Sequence, residues 1–208
     1  MTTLLRDVRS PGWGAGAPVV VLFLHGFGAD EQDLPGLAPT LGPDLPWASL
    51  RAPLDVGSGA AWFAVTTPGS PDPQVVESAT DTIWGWVDAN LDPGTRVVPI
   101  GFSQGGLMAT QLLRTRPERV LSPVILAGFV LGAPQPADGI LADDRPPVFW
   151  GRGAEDRVIA APAVARTESW LPLHASLTAR LYPGLSHGIS AAEVADVRDF
   201  LAEQLRSA

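Results

Sequence analysis

Cysteine and lysine are both absent from this chain of 208 residues, and its 14 basic residues are all arginine. Without cysteine, the chain cannot form disulfides, bind a metal through thiolates or use a cysteine nucleophile. Without lysine, it cannot form a Schiff base, bind phosphate through a P-loop lysine or use a Ser-Lys dyad. Several enzyme mechanisms are therefore excluded before any motif is considered.

Histidine is scarce and is limited to His25, His174 and His187. These residues are far apart in the sequence, and none belongs to an H-x-x-x-H or H-x-E motif of the kind that binds metals. We therefore expect no metal site.

The formal net charge of the chain is −8. Nucleic acids and anionic membrane surfaces select for basic patches, so neither is an expected partner. The N-terminal sequence MTTLLRDVRS carries charges where a signal peptide needs an apolar run. The apolar segment at residues 120–134 is too short and too interrupted by proline to span a bilayer. The sequence thus predicts a soluble, cytoplasmic protein without stable membrane insertion.

The size and patterning of the chain predict a single domain over residues 1–208. Apolar segments of strand length alternate with amphipathic segments of helical length. This alternation is typical of a doubly wound, mostly parallel sheet with helices on both faces. The predicted strands are 19–25, 47–53, 96–102, 120–128, 147–153 and 178–184, and the predicted helices are 73–91, 104–117, 161–171 and 190–208.

Two segments match the pattern G-x-S-x-G, which marks the strand-to-helix turn that exposes the nucleophilic serine of α/β-hydrolases. They are GFSQG around Ser103 and GLSHG around Ser186. Ser103 follows an apolar strand and precedes a helix, with Gly101 and Gly105 at the two positions where the turn needs small residues. Ser186 has a similar local context, so the choice depends on the catalytic partners.

A serine becomes an effective nucleophile only beside a base that is itself oriented by an acid, and in this fold the order along the chain is serine, acid, histidine. Downstream of Ser103 this order is met by Asp156 and His187, each in a loop that follows a predicted strand. Ser186 has only its immediate neighbour His187 as a base, and no histidine follows. We therefore predict Ser103, Asp156 and His187 as the catalytic triad.

A tetrahedral intermediate also needs hydrogen-bond donors for its oxyanion. In this fold one donor is the backbone N–H of the residue after the nucleophile, which is Gln104, and the other comes from the loop after an early strand. The sequence HGFG at 25–28 offers that loop, and the N–H of Phe27 is the predicted donor. His25 precedes the serine and is interpreted as a residue that anchors this loop, and His174 as a surface or packing residue.

Five segments resemble the phospholipase/carboxylesterase family of α/β-hydrolases, which includes acyl-protein thioesterases and small bacterial carboxylesterases. They are LHGFGADEQDL, SLRAPLDVGSGAAWF, IGFSQGG, GAEDRVI and GLSHGIS, in family order between about residues 19 and 200. The resemblance implies an α/β-hydrolase fold with the triad and oxyanion donors named above. It also implies that Trp62 and Phe63 line the substrate pocket, although ordinary core packing is an equal alternative for Trp62. The acid loop departs from the common family pattern in carrying Glu155 beside Asp156.

The sequence therefore predicts a cofactor-free serine carboxylesterase that hydrolyses small carboxylic esters. No insertion is long enough for a separate lid domain, so the site should be open and suited to short or medium acyl chains. Acyl thioesterase or lysophospholipase-type activity is the close alternative, and a non-catalytic ligand-binding homologue is the alternative from another class. The sequence does not distinguish a monomer from a homodimer.

Overall fold

The computed structural model describes residues 5–14, 16–42 and 45–206. Its centre is a seven-stranded sheet in the order β1-β3-β2-β6-β7-β8-β9, in which β1 is antiparallel to β3 and the other neighbours are parallel. Strands β4 and β5 form a separate antiparallel hairpin. The strands are β1 (Asp7–Arg9), β2 (Val19–Leu24), β3 (Trp47–Leu50), β4 (Leu54–Val56), β5 (Gly59–Ala61), β6 (Arg96–Phe102), β7 (Val124–Leu126), β8 (Pro147–Gly153) and β9 (Ser176–Tyr182).

Helices occupy the connections between these strands. Asp72 caps the first helix, because its carboxylate accepts a hydrogen bond from the backbone N–H of Gln74. The second helix ends two residues before Pro117, as expected because proline disfavours helical backbone in the residue before it. The α-helices are α1 (Pro73–Asn90), α2 (Gln104–Thr115), α3 (Asp138–Asp144), α4 (Ala161–His174) and α5 (Ala191–Arg206), and 3-10 helices cover Pro35–Thr40 and Pro117–Arg119.

Side chains of the central strands are buried on both faces of the sheet. All six residues of β2 are buried, which explains why this strand has no polar alternation in the sequence. On one face Val20, Leu22 and Leu24 belong to a cluster with residues of α1 and α2, such as Ile83 and Leu107. On the other face Val19, Val21 and Phe23 belong to a cluster with Phe200 and Leu201 of α5. The predicted α/β-hydrolase fold, with a doubly wound and mostly parallel sheet, is confirmed.

The structure contains elements that the sequence patterns did not indicate: β1, the hairpin β4–β5 and α3. The strands concerned have three residues each, which is too short for a periodic signal. The strand predicted at 120–128 is shorter, because only Val124–Leu126 continues the ladder and Val120 forms an isolated bridge with Val97. The single domain over residues 1–208 stays a prediction.

The predicted site residues follow the carboxyl ends of parallel strands, which meet at one edge of the sheet. Ser103 follows β6, Asp156 follows β8 and His187 follows β9, while the loop at 25–28 follows β2. Across the described ranges, no separate lid domain is present above this edge, and no helix is long and apolar enough to cross a membrane.

Candidate active site

Ser103 lies in a sharp turn between β6 and α2 with φ of 54° and ψ of −111°. This is backbone that non-glycine residues rarely adopt, at a cost of about 1–3 kcal/mol that the surrounding structure must offset. Gly101 and Gly105 make the turn possible. A Cβ atom on Gly101 would lie 2.0 Å from the Gly105 carbonyl oxygen, and one on Gly105 would lie 1.9 Å from the Leu24 carbonyl oxygen. The sequence predicted these two glycines correctly as the residues that permit the turn.

The imidazole of His187 lies between the serine and the acid. Its Nε2 atom is 2.9 Å from Ser103 Oγ, and its Nδ1 atom is 2.7 Å from Asp156 Oδ2. Both distances are within hydrogen-bonding range. The structure thus brings together the three predicted triad residues in the arrangement that proton transfer from the serine hydroxyl requires.

The Asp156 carboxylate is held on both oxygens. Its Oδ1 accepts hydrogen bonds from the backbone N–H groups of Val158, at 2.9 Å, and Ile159, at 3.3 Å. Its side chain is 3% exposed, whereas Glu155 is exposed to solvent. The neighbouring carboxyl therefore does not take the place of Asp156 beside the imidazole.

The acid loop and the histidine loop meet at Gly153, the last residue of β8. A Cβ atom there would lie 2.1 Å from the carbonyl oxygen of Leu185 and 2.3 Å from that of Ser186. The Glu155 N–H also donates to the Leu185 carbonyl at 2.9 Å. No sequence pattern indicates that the site requires this glycine, because the requirement arises only when two loops separated in sequence come into contact.

Gln104 directly follows Ser103, and the loop that carries Phe27 approaches the end of β6, where a Cβ atom on Gly26 would lie 3.5 Å from the Phe102 carbonyl oxygen. Gln104 is the first residue of α2, where the positive end of the helix dipole favours developing negative charge. Phe27 lies in the loop after β2, and within the described ranges its N–H donates no hydrogen bond. Among the described residues, neither amide thus donates to a helix or sheet partner. Their role as donors to a substrate stays a prediction.

His25 is completely buried and bonds to backbone on both ring nitrogens. Its Nε2 accepts from the Ala52 N–H at 3.1 Å, so Nδ1 carries the proton and donates to the Gly26 carbonyl at 2.7 Å. Burial lowers the pKa of this imidazole, which keeps it neutral. These contacts agree with the interpretation of His25 as an anchor of the loop that carries Phe27.

Trp62 and Phe63 are 2% and 3% exposed and lie in the core. The Trp62 indole N–H donates to the His25 carbonyl at 3.0 Å. The side chain of Gln104 bonds both residues, accepting from the Trp62 N–H at 2.8 Å and donating to the Phe63 carbonyl at 2.7 Å. Core packing is thus observed for both aromatic side chains, and their contact with substrate stays a prediction. No sequence pattern indicates this use of the Gln104 side chain.

The remaining sequence candidates lie apart from the triad contacts. Ser186 is exposed, and the imidazole of the adjacent His187 bonds Ser103 instead. His174 stacks on Trp170 with ring centroids 4.0 Å apart, which fits its interpretation as a packing residue. Across the described parts of the chain, no cluster of three or more histidine, aspartate or glutamate residues could hold a metal ion.

One further carboxyl near the histidine loop was not singled out from the sequence. Glu193 in the first turn of α5 is completely buried, and neither of its carboxyl oxygens makes a hydrogen bond of normal geometry among the described residues. Burial raises the pKa of Glu193 to about 7, the backbone N–H of Ser190 opposes this shift, and the nearby Asp196 carboxylate adds to it. This carboxyl lies under β8, where a Cβ on Gly151 would be 2.2 Å from its Oε1.

The fold and the site geometry define an α/β-hydrolase with a serine, histidine and aspartate in contact. A family model described as phospholipase/carboxylesterase matches residues 14–205. The chain belongs to the phospholipase/carboxylesterase family and is a serine hydrolase. The family predicted from the sequence motifs is confirmed.

The relatives agree with this assignment, and a solved structure agrees with the fold. The chain is 25% identical over 225 residues to acyl-protein thioesterase 1 of Kluyveromyces lactis, covering 97% of this chain and 99% of that protein. It is 26% identical to the carboxylesterase SOBER1 of Arabidopsis thaliana, covering 91% and 92% of the two chains. The crystal structure of the Bacillus cereus carboxylesterase has the same fold, with a TM-score of 0.80, 20% identity and coverage of 97% and 95%.

Proposed function

We propose that this protein is a carboxylesterase that hydrolyses small carboxylic esters through an acyl-enzyme on Ser103. The observation that carries the proposal is the continuous contact from Ser103 Oγ through the His187 imidazole to the Asp156 carboxylate. Membership of the phospholipase/carboxylesterase family supports the substrate class. A cytoplasmic location stays a prediction.

The reaction follows from the positions of these groups. As Ser103 Oγ attacks the ester carbonyl carbon, its proton passes to Nε2 of His187, and Asp156 stabilises the imidazolium that forms. The N–H groups of Phe27 and Gln104 stabilise the oxyanion of the tetrahedral intermediate. The imidazolium then protonates the leaving alcohol as the C–O bond breaks. Water, deprotonated by the same imidazole, attacks the acyl-enzyme. The bond from the acyl carbon to Ser103 Oγ then breaks, the imidazolium returns the proton to Oγ, and the carboxylic acid is released.

Short and medium acyl chains are the proposed substrates. The serine lies at an edge of the sheet that no separate domain covers in the described ranges. Phe27, which is 48% exposed, offers an apolar surface on the oxyanion loop itself. An open apolar surface of this kind can contact an acyl chain without enclosing it.

A thioester is the second candidate substrate, because the same attack and the same oxyanion stabilisation cleave a carbon–sulfur bond. The similarity to a protein named acyl-protein thioesterase 1, over nearly the full length of both chains, favours this candidate. Family membership alone does not distinguish an oxygen esterase from a thioesterase, since the same catalytic residues can cleave both kinds of bond.

The deciding experiment compares hydrolysis of p-nitrophenyl acetate, butyrate and decanoate with that of matched acyl thioesters, using wild type and Ser103→Ala. Turnover that is lost in Ser103→Ala supports the proposed enzyme. The substrate series with the higher kcat/KM identifies the bond that it cleaves. Wild type without turnover on any of these substrates would instead support a non-catalytic ligand-binding protein. Labelling of Ser186 in place of Ser103 by a fluorophosphonate would overturn the assigned nucleophile.

A further inference from the structure

We infer that the side chain of Gln104 is a positioning residue that sets the spacing between the two oxyanion donors. The inference rests on the proposed function, which gives the backbone N–H of Gln104 a role as one donor. The side chain of the same residue points the other way, into the protein, where Gln104 is 4% exposed. Its contacts there lead back to the second donor, Phe27.

The Gln104 carboxamide bonds the chain directly after β5. Its Oε1 accepts from the Trp62 N–H at 2.8 Å, and its Nε2 donates to the Phe63 carbonyl at 2.7 Å. These bonds use a backbone donor and a backbone acceptor of adjacent residues, so the side chain fixes both the position and the orientation of this segment. The start of α2 and the segment after β5 are thereby held as one unit.

The segment at 60–62 in turn holds the loop that carries Phe27 on both sides of that residue. Before Phe27, the His25 carbonyl accepts from the Trp62 indole N–H at 3.0 Å. After Phe27, the Gly28 N–H donates to the Ala60 carbonyl at 2.9 Å, and the Ala60 N–H donates to the Ala29 carbonyl at 2.7 Å. The Phe27 amide is therefore located by bonds to Trp62, which Gln104 holds directly, and to Ala60, two residues before it in the same segment.

The approach of the hairpin to this loop is as close as backbone allows. A Cβ atom on Gly59 would lie 1.9 Å from the Gly28 carbonyl oxygen. The contact leaves little freedom for the loop to shift relative to β5. A displacement of the segment at 60–63 is therefore transmitted to Phe27 and changes the distance between its N–H and that of Gln104.

Gln104→Met tests this inference, because methionine has nearly the same length, fills the buried space and retains the backbone N–H of residue 104. The variant loses both side-chain hydrogen bonds but keeps both backbone N–H groups that are proposed as oxyanion donors. Misplacement of a donor lowers the rate of the chemical step by about 10- to 100-fold. We therefore expect kcat to fall by that factor while KM changes little, since the substrate binds before charge develops on its oxygen.

Gln111→Met is the matched control. Gln111 lies on the same helix, is also fully buried and has an Nε2 atom without a partner among the described residues. The same chemical change at this position leaves the contacts of residues 60–63 intact. We expect this variant to keep the wild-type kcat, which separates loss of positioning from a general weakening of α2.

Hydrogen exchange of backbone amides gives a second readout that does not need activity. The Gly28 and Ala60 amides should exchange faster in Gln104→Met than in wild type and in Gln111→Met. If wild type proves inactive, the proposed function fails and the exchange measurement alone tests the inference. Unchanged exchange rates at both amides would then overturn it. If wild type is active, a Gln104→Met kcat equal to that of wild type overturns it.

Gln104→Glu is the alternative test of the inference if Gln104→Met does not fold. A carboxylate still accepts from the Trp62 N–H but cannot donate to the Phe63 carbonyl, and protonation of the carboxyl restores that donation. The kcat of Gln104→Glu relative to wild type should therefore rise as the pH is lowered. A ratio that stays constant with pH contradicts the role assigned to the Phe63 bond.

Discussion

Nε2 of His187 lies 2.9 Å from Oγ of Ser103, although 84 positions separate the two residues in the sequence. This contact depends on three loops that reach the same sheet edge from β6, β8 and β9. It also depends on Asp156, because a carboxylate at Nδ1 leaves Nε2 unprotonated and able to accept the serine proton.

Asp156→Asn should therefore lower kcat with little effect on stability. The asparagine can hold the imidazole but cannot stabilise its cation, and its amide favours the wrong tautomer, so kcat should fall by about 10³- to 10⁴-fold. Steady-state hydrolysis of p-nitrophenyl butyrate measures the effect. Glu155→Gln is the control, since Glu155 is exposed and adjacent, and it should keep the wild-type kcat. Equal losses in both variants would contradict the assignment of the acid.

Gly105→Ala should destabilise the fold, because the added methyl group would lie 1.9 Å from the Leu24 carbonyl oxygen and 2.7 Å from that of His25. Backbone atoms cannot move aside as a flexible side chain can. The free energy of unfolding in urea should fall by about 3 kcal/mol or more, at or above the upper end of the usual cost of overpacking.

Gly139→Ala is the matched control for that substitution. Gly139 lies in α3, and a Cβ atom there would meet no heavy atom within 4 Å. Alanine restricts the unfolded chain and favours the helix, so this variant should gain about 0.5–1 kcal/mol in the free energy of unfolding. If Gly105→Ala is as stable as wild type, the turn around Ser103 can accommodate a methyl group for which the structure shows no room.

Glu193→Gln should make the protein more stable at pH 8 than wild type, with a smaller difference at pH 4. In the folded state the pKa of Glu193 is raised to about 7 by burial, from an ordinary value of 4.5. Between these values the folded protein binds more protons at this group than the unfolded chain does. The contribution of Glu193 to stability therefore falls as the pH rises from about 4.5 to 7, by roughly 3 kcal/mol in total.

Glutamine has no charge to bury, so Glu193→Gln does not lose this stability. Urea unfolding of both proteins between pH 4 and pH 8 measures the difference in the free energy of unfolding. A difference that does not change over this range would show that ionisation of Glu193 has no energetic cost in the folded protein.

Arg114→Met should be strongly destabilising. The buried guanidinium pairs with both carboxylate oxygens of Asp138 at 2.8 Å and donates to the carbonyls of Leu131 and Ala133. Its removal leaves the Asp138 carboxylate without its cation and these carbonyls without this buried donor, at a cost of about 3–5 kcal/mol. Arg116→Met, which removes an exposed pair with Asp88, should cost less than about 1 kcal/mol by the same urea measurement. Similar losses in the free energy of unfolding for the two variants would contradict the claim that burial makes the Arg114 ion pair more important for stability.

Much of the fold could be predicted from local sequence. The buried strands β2 and β6 are nearly continuous apolar runs, and α1 and α5 have clear helical periodicity, so these elements lie close to their predicted bounds. The hairpin β4–β5 could not be predicted in this way. Its strands have three residues each, and its position is decided by bonds to the distant loop at 28–29.

By itself, the sequence determined which residue types stand at the site. The glycines around Ser103 and the later positions of Asp156 and His187 are local facts of order and spacing, and they suffice to predict a serine hydrolase. Only the tertiary structure decided the contacts between segments that are distant in the chain. Gly153 is needed because two loops meet there, the Gln104 side chain bonds residues 62–63, and Glu193 is buried beneath β8. Such contacts depend on packing across the whole sheet, because no local pattern specifies which surfaces come together.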